Sequence, residues 1–496
     1  MQETSISLPN RRLARIALPS IDGQALGLIL SSMLLVSFAL IKATDPDYWW
    51  HLRTGQLVAE TRSVPRVDSF SFTAEGKDWV AHEWLSELTI YGLQSLGGYA
   101  LNALFFGGVA LGALLIAYRT TLRLGASRWL ALLFFTWAGL MSQAYWVVRP
   151  QVFSWLFLAL FLAIIVEHQK NKASLWLLPP LMVLWANLHL GCMFGLAVVG
   201  LYVVSSFAEH FLLGQKRDLR TLVLVLVACI GATSVTPHPG ALLLYPLHYL
   251  KPGNNNLELI SEWQSPDFHA NAYLPFAAAL LTLVGIGVFE KTRGLFLPLL
   301  TLGFTFLALQ SLRNIPLFAI VFFIVAAGRT SGLWRWMSVD TAGGSAPART
   351  PVNLAIVFFF ALLLALMVSR MPNQLHETAR TDGFFPYPRA GVEYLKAKHS
   401  DARVFATYQW GGYVLYQVPT AKVFVDGRSE FYGDALLEDY VHVANLASNW
   451  RKILDHHGVD LMLVEVNSAL ARALDAEKST WRRVFTGPVE AVFERS

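Results

Sequence analysis

Residues 22–51 read DGQALGLILSSMLLVSFALIKATDPDYWWH, an apolar run that ends abruptly in two aspartates, a proline, two tryptophans and a histidine. Roughly 20 apolar residues in a helix cross the hydrocarbon core of a bilayer. The run 22–42 therefore predicts a first spanning helix. Arg11, Arg12 and Arg15 precede it, which predicts that it starts on the cytoplasmic side. It is too long for the apolar core of a cleavable signal and lacks a small-x-small site, so it reads as a retained anchor. The polar stretch Asp45–His51 then emerges on the outer face.

The rest of the chain repeats this pattern. Of 496 residues 54% are hydrophobic and only 15% charged, with a mean hydropathy of +0.45. About a quarter of a soluble domain is charged, so the main solvent here is lipid. The formal charge of +5 is scattered over short loops, with no basic stripe and no interleaved aromatics. No nucleic-acid partner is expected. The two cysteines, Cys192 and Cys229, lie in apolar stretches and give neither a disulfide framework nor a zinc spacing. Sixteen Trp and sixteen Tyr suit aromatic belts at two interfaces.

Further runs at 99–118, 129–147, 150–167, 174–190, 193–213, 219–236, 271–289, 293–311, 314–330 and 352–370 bring the expected count to about eleven spans. Only Gly191 and Cys192 separate 174–190 from 193–213, which also reads as one broken helix with a re-entrant piece. With the N-terminus inside, the inner segments carry sixteen Lys and Arg, against seven in the outer loops before the last span. The positive-inside rule is met at every inner loop. The expected organisation is a cytoplasmic segment 1–21, a transmembrane domain 22–370 with long outer loops 43–98 and 237–270, and an extracytoplasmic domain 371–496. The expected location is a bacterial inner membrane, the tail being periplasmic or extracellular.

Within the first outer loop, 48–60 and 80–96 place apolar residues at helical spacing and read as helices along the interface. The inner loop 331–350, rich in small residues, reads as a flexible connector. In the tail, short apolar runs at 403–407, 413–418, 422–426 and 461–466 alternate with helical patterns at 389–398, 434–457 and 467–475. That alternation predicts a small α/β unit.

Candidate chemistry begins at Asp45 and Asp47. Residues two apart in an extended segment face one side, so the pair aims two carboxylates at one point. Such a pair suits a general base beside a divalent-cation ligand. It equally suits a helix start, with Asp45 as N-cap, Pro46 first in the helix and Asp47 facing the dipole. His51 lies just beyond. His82, Glu83 and Glu87 set an imidazole beside carboxylates near the membrane, as a catalytic or metal group or as the polar face of an interfacial helix. Asn187 and His189 end an apolar run, where polar groups are costly. Arg149 and Arg313 sit at outer ends of spans, fit for head groups or for a phosphate. Glu262, with Trp263, His238 and Lys251, comes from the second long loop. In the tail, Tyr408-Gln409-Trp410-Gly411-Gly412-Tyr413 combines aromatics with two glycines that allow backbone approach to a ligand. Asp426-Gly427-Arg428 reads as a ligand group or as a strand-ending turn.

Together these residues resemble the GT-C superfamily of membrane glycosyltransferases, with an acidic pair after span one, interfacial helices in that loop and a soluble outer tail. Trp410-Gly411-Gly412-Tyr413 is similar to the Trp-Trp-Asp-Tyr-Gly signature of oligosaccharyltransferase catalytic subunits, although glycine replaces its aspartate. A more distant likeness is to protein mannosyltransferases. Asp45 to Trp50, Trp185-Ala186-Asn187-Leu188-His189, Glu262-Trp263 and Asp426-Gly427-Arg428 resemble bacterial GT-C-like membrane proteins. The resemblance implies inverting transfer of a sugar from a polyprenyl-phosphate carrier to a lipid, glycan or protein acceptor on the outer face. It implies Asp45 or Asp47 as base, Arg149, His189 and Arg313 at the donor phosphate, and Trp410, Tyr413, Asp426 and Arg428 at the acceptor. A Mg2+ or Mn2+ ion on Asp45 and Asp47 is optional in such a family.

Two other classes compete. A transporter or lipid flippase predicts midplane charges and inverted repeats; the sequence shows no repeat, and its charges cluster at outer ends of spans. A non-catalytic assembly subunit predicts an acidic loop that only packs.

Overall fold

The computed structural model describes residues 21–41, 45–170, 173–245, 260–289, 294–336, 350–374 and 386–496. The segment 1–20, Lys251 and most of the expected connector, 337–349, lie outside the described residues. Each predicted apolar run coincides with a helix. These begin with α1 (Gly23–Ile41), α2 (Tyr48–Thr61), α3 (Trp84–Arg123), α4 (Arg128–Ser142), α5 (Gln151–His168), α6 (Leu178–Leu188), α7 (Cys192–Leu212) and α8 (Leu219–Ala232). Helices Leu274–Phe289, Phe296–Gln310, Ile315–Trp336 and Thr350–Gln374 follow.

Among the described residues six helices are long and apolar enough to cross a membrane, so the chain is a polytopic integral membrane protein. Of the others, α6 has 11 residues and Leu274–Phe289 has 16. At 1.5 Å per residue these reach roughly 16–24 Å, short of a hydrocarbon core of about 30 Å. The stretch around Gly191 is a sharp turn between two helices: α6 stops at Leu188, His189 is extended, and α7 starts at Cys192.

The centre of the bundle is Ile315–Trp336, whose side chains from Ile315 to Ala327 are apolar and buried against α3, α4 and α5. Its opposite is Thr350–Gln374, which leans on α1 and exposes Phe358, Phe359 and Leu362 as a lipid-facing helix does. A helix hydrophobic all round sits either in the core or in lipid, and the fold contains both cases.

The first outer loop forms its two helices as expected, but the second is continuous with a span. α3 runs from the interface into the bundle through a kink at Gly97 and Gly98, where Gly98 has φ +66°. Only glycine adopts that conformation freely, so the sequence places its break there.

The tail is an α/β unit on a five-stranded sheet: β1 (Arg403–Ala406), β2 (Lys422–Val423), β3 (Leu461–Glu465), β4 (Trp481–Thr486) and β5 (Glu490–Arg495), in order β2-β1-β3-β5-β4. β1 is parallel to β2 and β3, while β5 is antiparallel to β3 and β4. Three expectations are corrected. Residues 413–418 belong to a helix, Gly411–Gln417, whose buried face packs on α2, so tertiary contact overrides strand propensity. The pattern 434–457 is two helices, Asp434–Ala444 and Trp450–His457. The β4–β5 hairpin escaped notice because Arg482, Arg483, Glu490 and Glu494 interrupt its apolar alternation.

The outer loop and the tail are joined by backbone. Val423 N donates to Phe70 O at 3.1 Å and Phe72 N to Val423 O at 3.2 Å, extending the sheet by a short piece of the first loop. This union roofs one end of the bundle.

Candidate active site

Beyond α1 the chain turns at Pro46–Asp47 and enters α2. Asp47 occupies the N-cap position in helical conformation, yet its side chain caps nothing. Pro46 thus brings the two carboxylates together through a turn rather than the extended segment expected. Asp45 Oδ1 accepts from Asp47 N at 3.0 Å, and Asp47 Oδ1 accepts from Trp50 Nε1 at 3.2 Å. Both remaining oxygens reach Arg149, the residue before the proline that opens α5. Asp45 Oδ2 contacts its Nε, and Asp47 Oδ2 lies 2.9 Å from its Nη2. The third side of the guanidinium takes Glu262, whose two carboxylate oxygens each accept from Nη1 at 2.8 Å.

One arginine therefore ties three carboxylates from two outer loops at the mouth of the bundle. Burial pushes the Asp47 carboxyl up to about 7 against the pull of Arg149, with Asp45 and Glu262 adding to the rise. For Glu262 burial is outweighed by Arg149 and Arg313, and its carboxyl sits below the usual range. Of the pair after α1, Asp47 is the more open, its side chain 26% exposed against 8% for Asp45.

These groups line a cavity of about 490 Å³ between the bundle and the tail. Seven of the expected residues meet on its wall: Asp45, Asp47, His51, Glu83, Arg149, Glu262 and Arg313. Arg313 donates from Nε to Gln151 at 3.1 Å and lies 5.2 Å above the Trp263 ring. Tyr408, Gln409 and Glu430 of the tail also line the cavity, with Gln151 and Trp263. Of these, Glu430 and Gln151 carried no sequence signal, being isolated polar residues without a pattern.

His82 and His189 stand behind the wall. His189 Nε2 is 3.4 Å from Glu83, and its Nδ1 accepts from Gly191 N at 2.9 Å beside Ser154 Oγ at 2.7 Å. His82 Nε2 is 3.6 Å from Glu83, and its Nδ1 donates to Val80 O at 3.2 Å. Asn187 joins α6 to its neighbours, accepting from Trp84 Nε1 and donating to Val235 O.

The four residues expected at the acceptor are not on the cavity wall. Trp410 is buried and donates to Pro386 O at 3.0 Å; Tyr413 packs edge-on against Trp49 with centroids 4.9 Å apart. Asp426 and Arg428 are sealed, with Arg428 Nη2 2.7 Å from Asp426 and 2.8 Å from Asp68. Around that guanidinium stand the rings of Phe70, Trp79, Phe431 and Tyr432. The glycines allow close approach, but to protein. A Cβ on Gly427 would fall 2.1 Å from Asp47 Oδ1, and one on Gly412 3.0 Å from Trp50 N. The tail is thus seated directly on the start of α2.

This fold is similar to that of several solved membrane proteins. No family model matches the sequence, and no curated protein matches it significantly. Among solved structures it is similar to the archaeal oligosaccharyltransferase AglB from Archaeoglobus fulgidus, in complex with an inhibitory peptide and a dolichol-phosphate. That match has a TM-score of 0.59 at 10% identity, over 88% of this chain and 69% of that one. It is similar also to the arabinofuranosyltransferase AftD from Mycobacteria, with a TM-score of 0.54 at 13% identity over 95% of this chain and 40% of that one. ArnT from Cupriavidus metallidurans bound to undecaprenyl phosphate gives 0.50 at 13% identity, over 94% of this chain and 97% of that one. At such identities the shared property is the fold.

Proposed function

We propose that this protein transfers a sugar from a polyprenyl-phosphate carrier to a lipid, glycan or protein acceptor on the outer face of a bacterial inner membrane, with inversion. The observation that carries the reading is a single cavity whose wall holds both Asp47, pushed up to about 7, and Arg313. A general base works best when its pKa lies near the operating pH. Asp47 takes the proton of the acceptor hydroxyl or amide. The acceptor atom bonds to the sugar C1 from the face opposite the carrier, and the C1–O bond breaks with its electron pair leaving on the carrier phosphate. Attack opposite the leaving group inverts C1.

Arg149 is already matched by three carboxylates, so its role is to hold Asp45, Asp47 and Glu262 in register. Arg313, braced by Gln151 and Trp263, is the better group for the phosphate, whose developing charge a fixed guanidinium stabilises. His189 holds Glu83 from behind. The two aspartates as placed share a guanidinium rather than an open ion site, so no step here runs through a metal between them. Trp410, Tyr413, Asp426 and Arg428 act by seating the tail, and Tyr408, Gln409 and Glu430 are the tail residues that meet the acceptor. The similar structures of AglB with a dolichol-phosphate and of ArnT with undecaprenyl phosphate support a carrier of this kind. All eleven apolar helices cross or enter the bilayer in this reading, which leaves the tail outside.

The test is transfer from a radiolabelled polyprenyl-phosphate sugar in membranes containing the protein. Asp47→Asn at equal expression is expected to slow transfer by about 10²- to 10⁴-fold, the usual contribution of a positioned base. Undiminished transfer by the variant would remove Asp47 from the chemistry.

A further inference from the structure

The first outer loop brings a second group of polar side chains together, of which His51 and Glu83 reach the cavity wall and Glu87 lies behind it. His51 and Gly55 lie one turn apart on α2; Glu83 and Glu87 lie one turn apart at the start of α3. Gly55 has no side chain to keep the helices apart, and a Cβ there would fall 2.0 Å from Glu87 O. The close crossing sets His51 Nδ1 3.3 Å from Glu87 Oε1 and 3.7 Å from Glu83 Oε2. One donor atom from each of the three residues lies within 4.8 Å of the other two.

We infer that His51, Glu83 and Glu87 form a binding site for a divalent transition ion of the zinc type, which clamps α2 to α3. Four observations carry it. First, ligand bonds of about 2.0–2.1 Å at tetrahedral angles set donor atoms roughly 3.3–3.4 Å apart, the scale seen between His51 and the two carboxylates. Second, Glu87 is 1% exposed, and its Oε2 has no hydrogen-bond partner among the described residues. A buried carboxylate oxygen left bare is costly, and a metal supplies the missing partner. Third, neither glutamate is ion-paired to lysine or arginine among the described residues; the basic side chains within 4 Å of them are the imidazoles of His51, His82 and His189. An imidazole with two carboxylates is a borderline donor set that suits zinc or manganese better than magnesium. Fourth, the outer shell is built. Gly191 N can only donate, so His189 Nδ1 accepts, which leaves the proton on Nε2, 3.4 Å from Glu83 Oε1. Such a bond fixes the orientation of a ligating carboxylate. The site is separate from Asp45 and Asp47, and it steadies them from His51, four residues beyond Asp47 on the same helix start.

The test is direct binding, independent of any transferase assay. The full-length protein in detergent, stripped with a chelator, is titrated with Zn2+ calorimetrically, and a parallel sample is loaded with Co2+ for its visible absorption. Expected are one equivalent of Zn2+, a rise in unfolding temperature on binding, and a Co2+ spectrum typical of four-coordinate nitrogen and oxygen ligands. Glu87→Gln, nearly isosteric, is expected to raise the Zn2+ dissociation constant by at least about 100-fold, more than loss of an outer-shell partner does. Asp47→Asn is expected to bind as the wild type does, whatever its effect on transfer. Absence of stoichiometric Zn2+ binding by the wild type overturns the inference. So does equal affinity in Glu87→Gln, and so does a Co2+ spectrum of hexa-aquo type. If Glu87→Gln fails to fold, the wild-type stoichiometry and spectrum decide alone.

Discussion

Two arginines of this protein are each gripped by carboxylates from distant parts of the chain, and they do different work. Arg149 gathers Asp45, Asp47 and Glu262 on the wall of a cavity, whereas Arg428 gathers Asp426 and Asp68 under four aromatic rings. The charges are alike; the surroundings differ. At Arg149 three carboxylates share one cation, Asp47 is part-open, and a molecule entering the cavity meets it. At Arg428 every approach is filled by Phe70, Trp79, Phe431 and Tyr432, so the cluster locks the first loop to the tail and meets no ligand. An Asp–Arg motif acquires its role from access, and access belongs to the tertiary structure.

That contrast can be broken most forcefully at the sealed end. Arg428→Ala leaves Asp426 and Asp68 buried without their cation, and breaking a buried pair in this way costs about 3–5 kcal/mol. Denaturant unfolding or limited proteolysis of the purified protein should show the tail released from the first loop. A variant as stable as the wild type would mean that the lock carries no load.

A smaller effect is expected where the two regions touch. In Gly427→Ala the new methyl collides with Asp47 Oδ1 and with Trp50 Nε1, 2.6 Å away. Overpacking of this kind costs about 1–3 kcal/mol. Because it displaces Asp47 directly, transfer should fall further than stability does, a split measurable by comparing turnover with unfolding temperature.

The gentlest probe of the open end is pH. With its carboxyl raised to about 7, Asp47 holds a proton below that value and cannot accept another. Transfer should therefore climb roughly tenfold per pH unit on the acid side and level off above about 7. A profile flat from pH 5 to 8 would assign the base to a different group.

Much of the frame was legible from the chain alone. Apolar runs located every bundle helix, because a helix in lipid must be greasy along its whole length whatever its neighbours. The gap between the ranges 80–96 and 99–118 falls on Gly97 and Gly98, where α3 kinks. Asp45, Asp47, Arg149, Glu262 and Arg313 were each recognisable as polar residues at the outer rim, where charge at a membrane border is conspicuous. The helix at Gly411–Gln417 and the β4–β5 hairpin were not legible, since both depend on what packs against them.

By itself, then, the sequence determined a polytopic helical protein with an acidic loop after its first span and an α/β tail, since hydrophobic length and residue periodicity act locally. Only the tertiary structure decided that Arg149 ties the acidic pair to Glu262, and that Asp426 and Arg428 are sealed rather than exposed. It alone brought His51 over Glu83 and Glu87. Ion pairing and burial depend on distances between residues up to several hundred positions apart in the chain, and no local pattern records those distances.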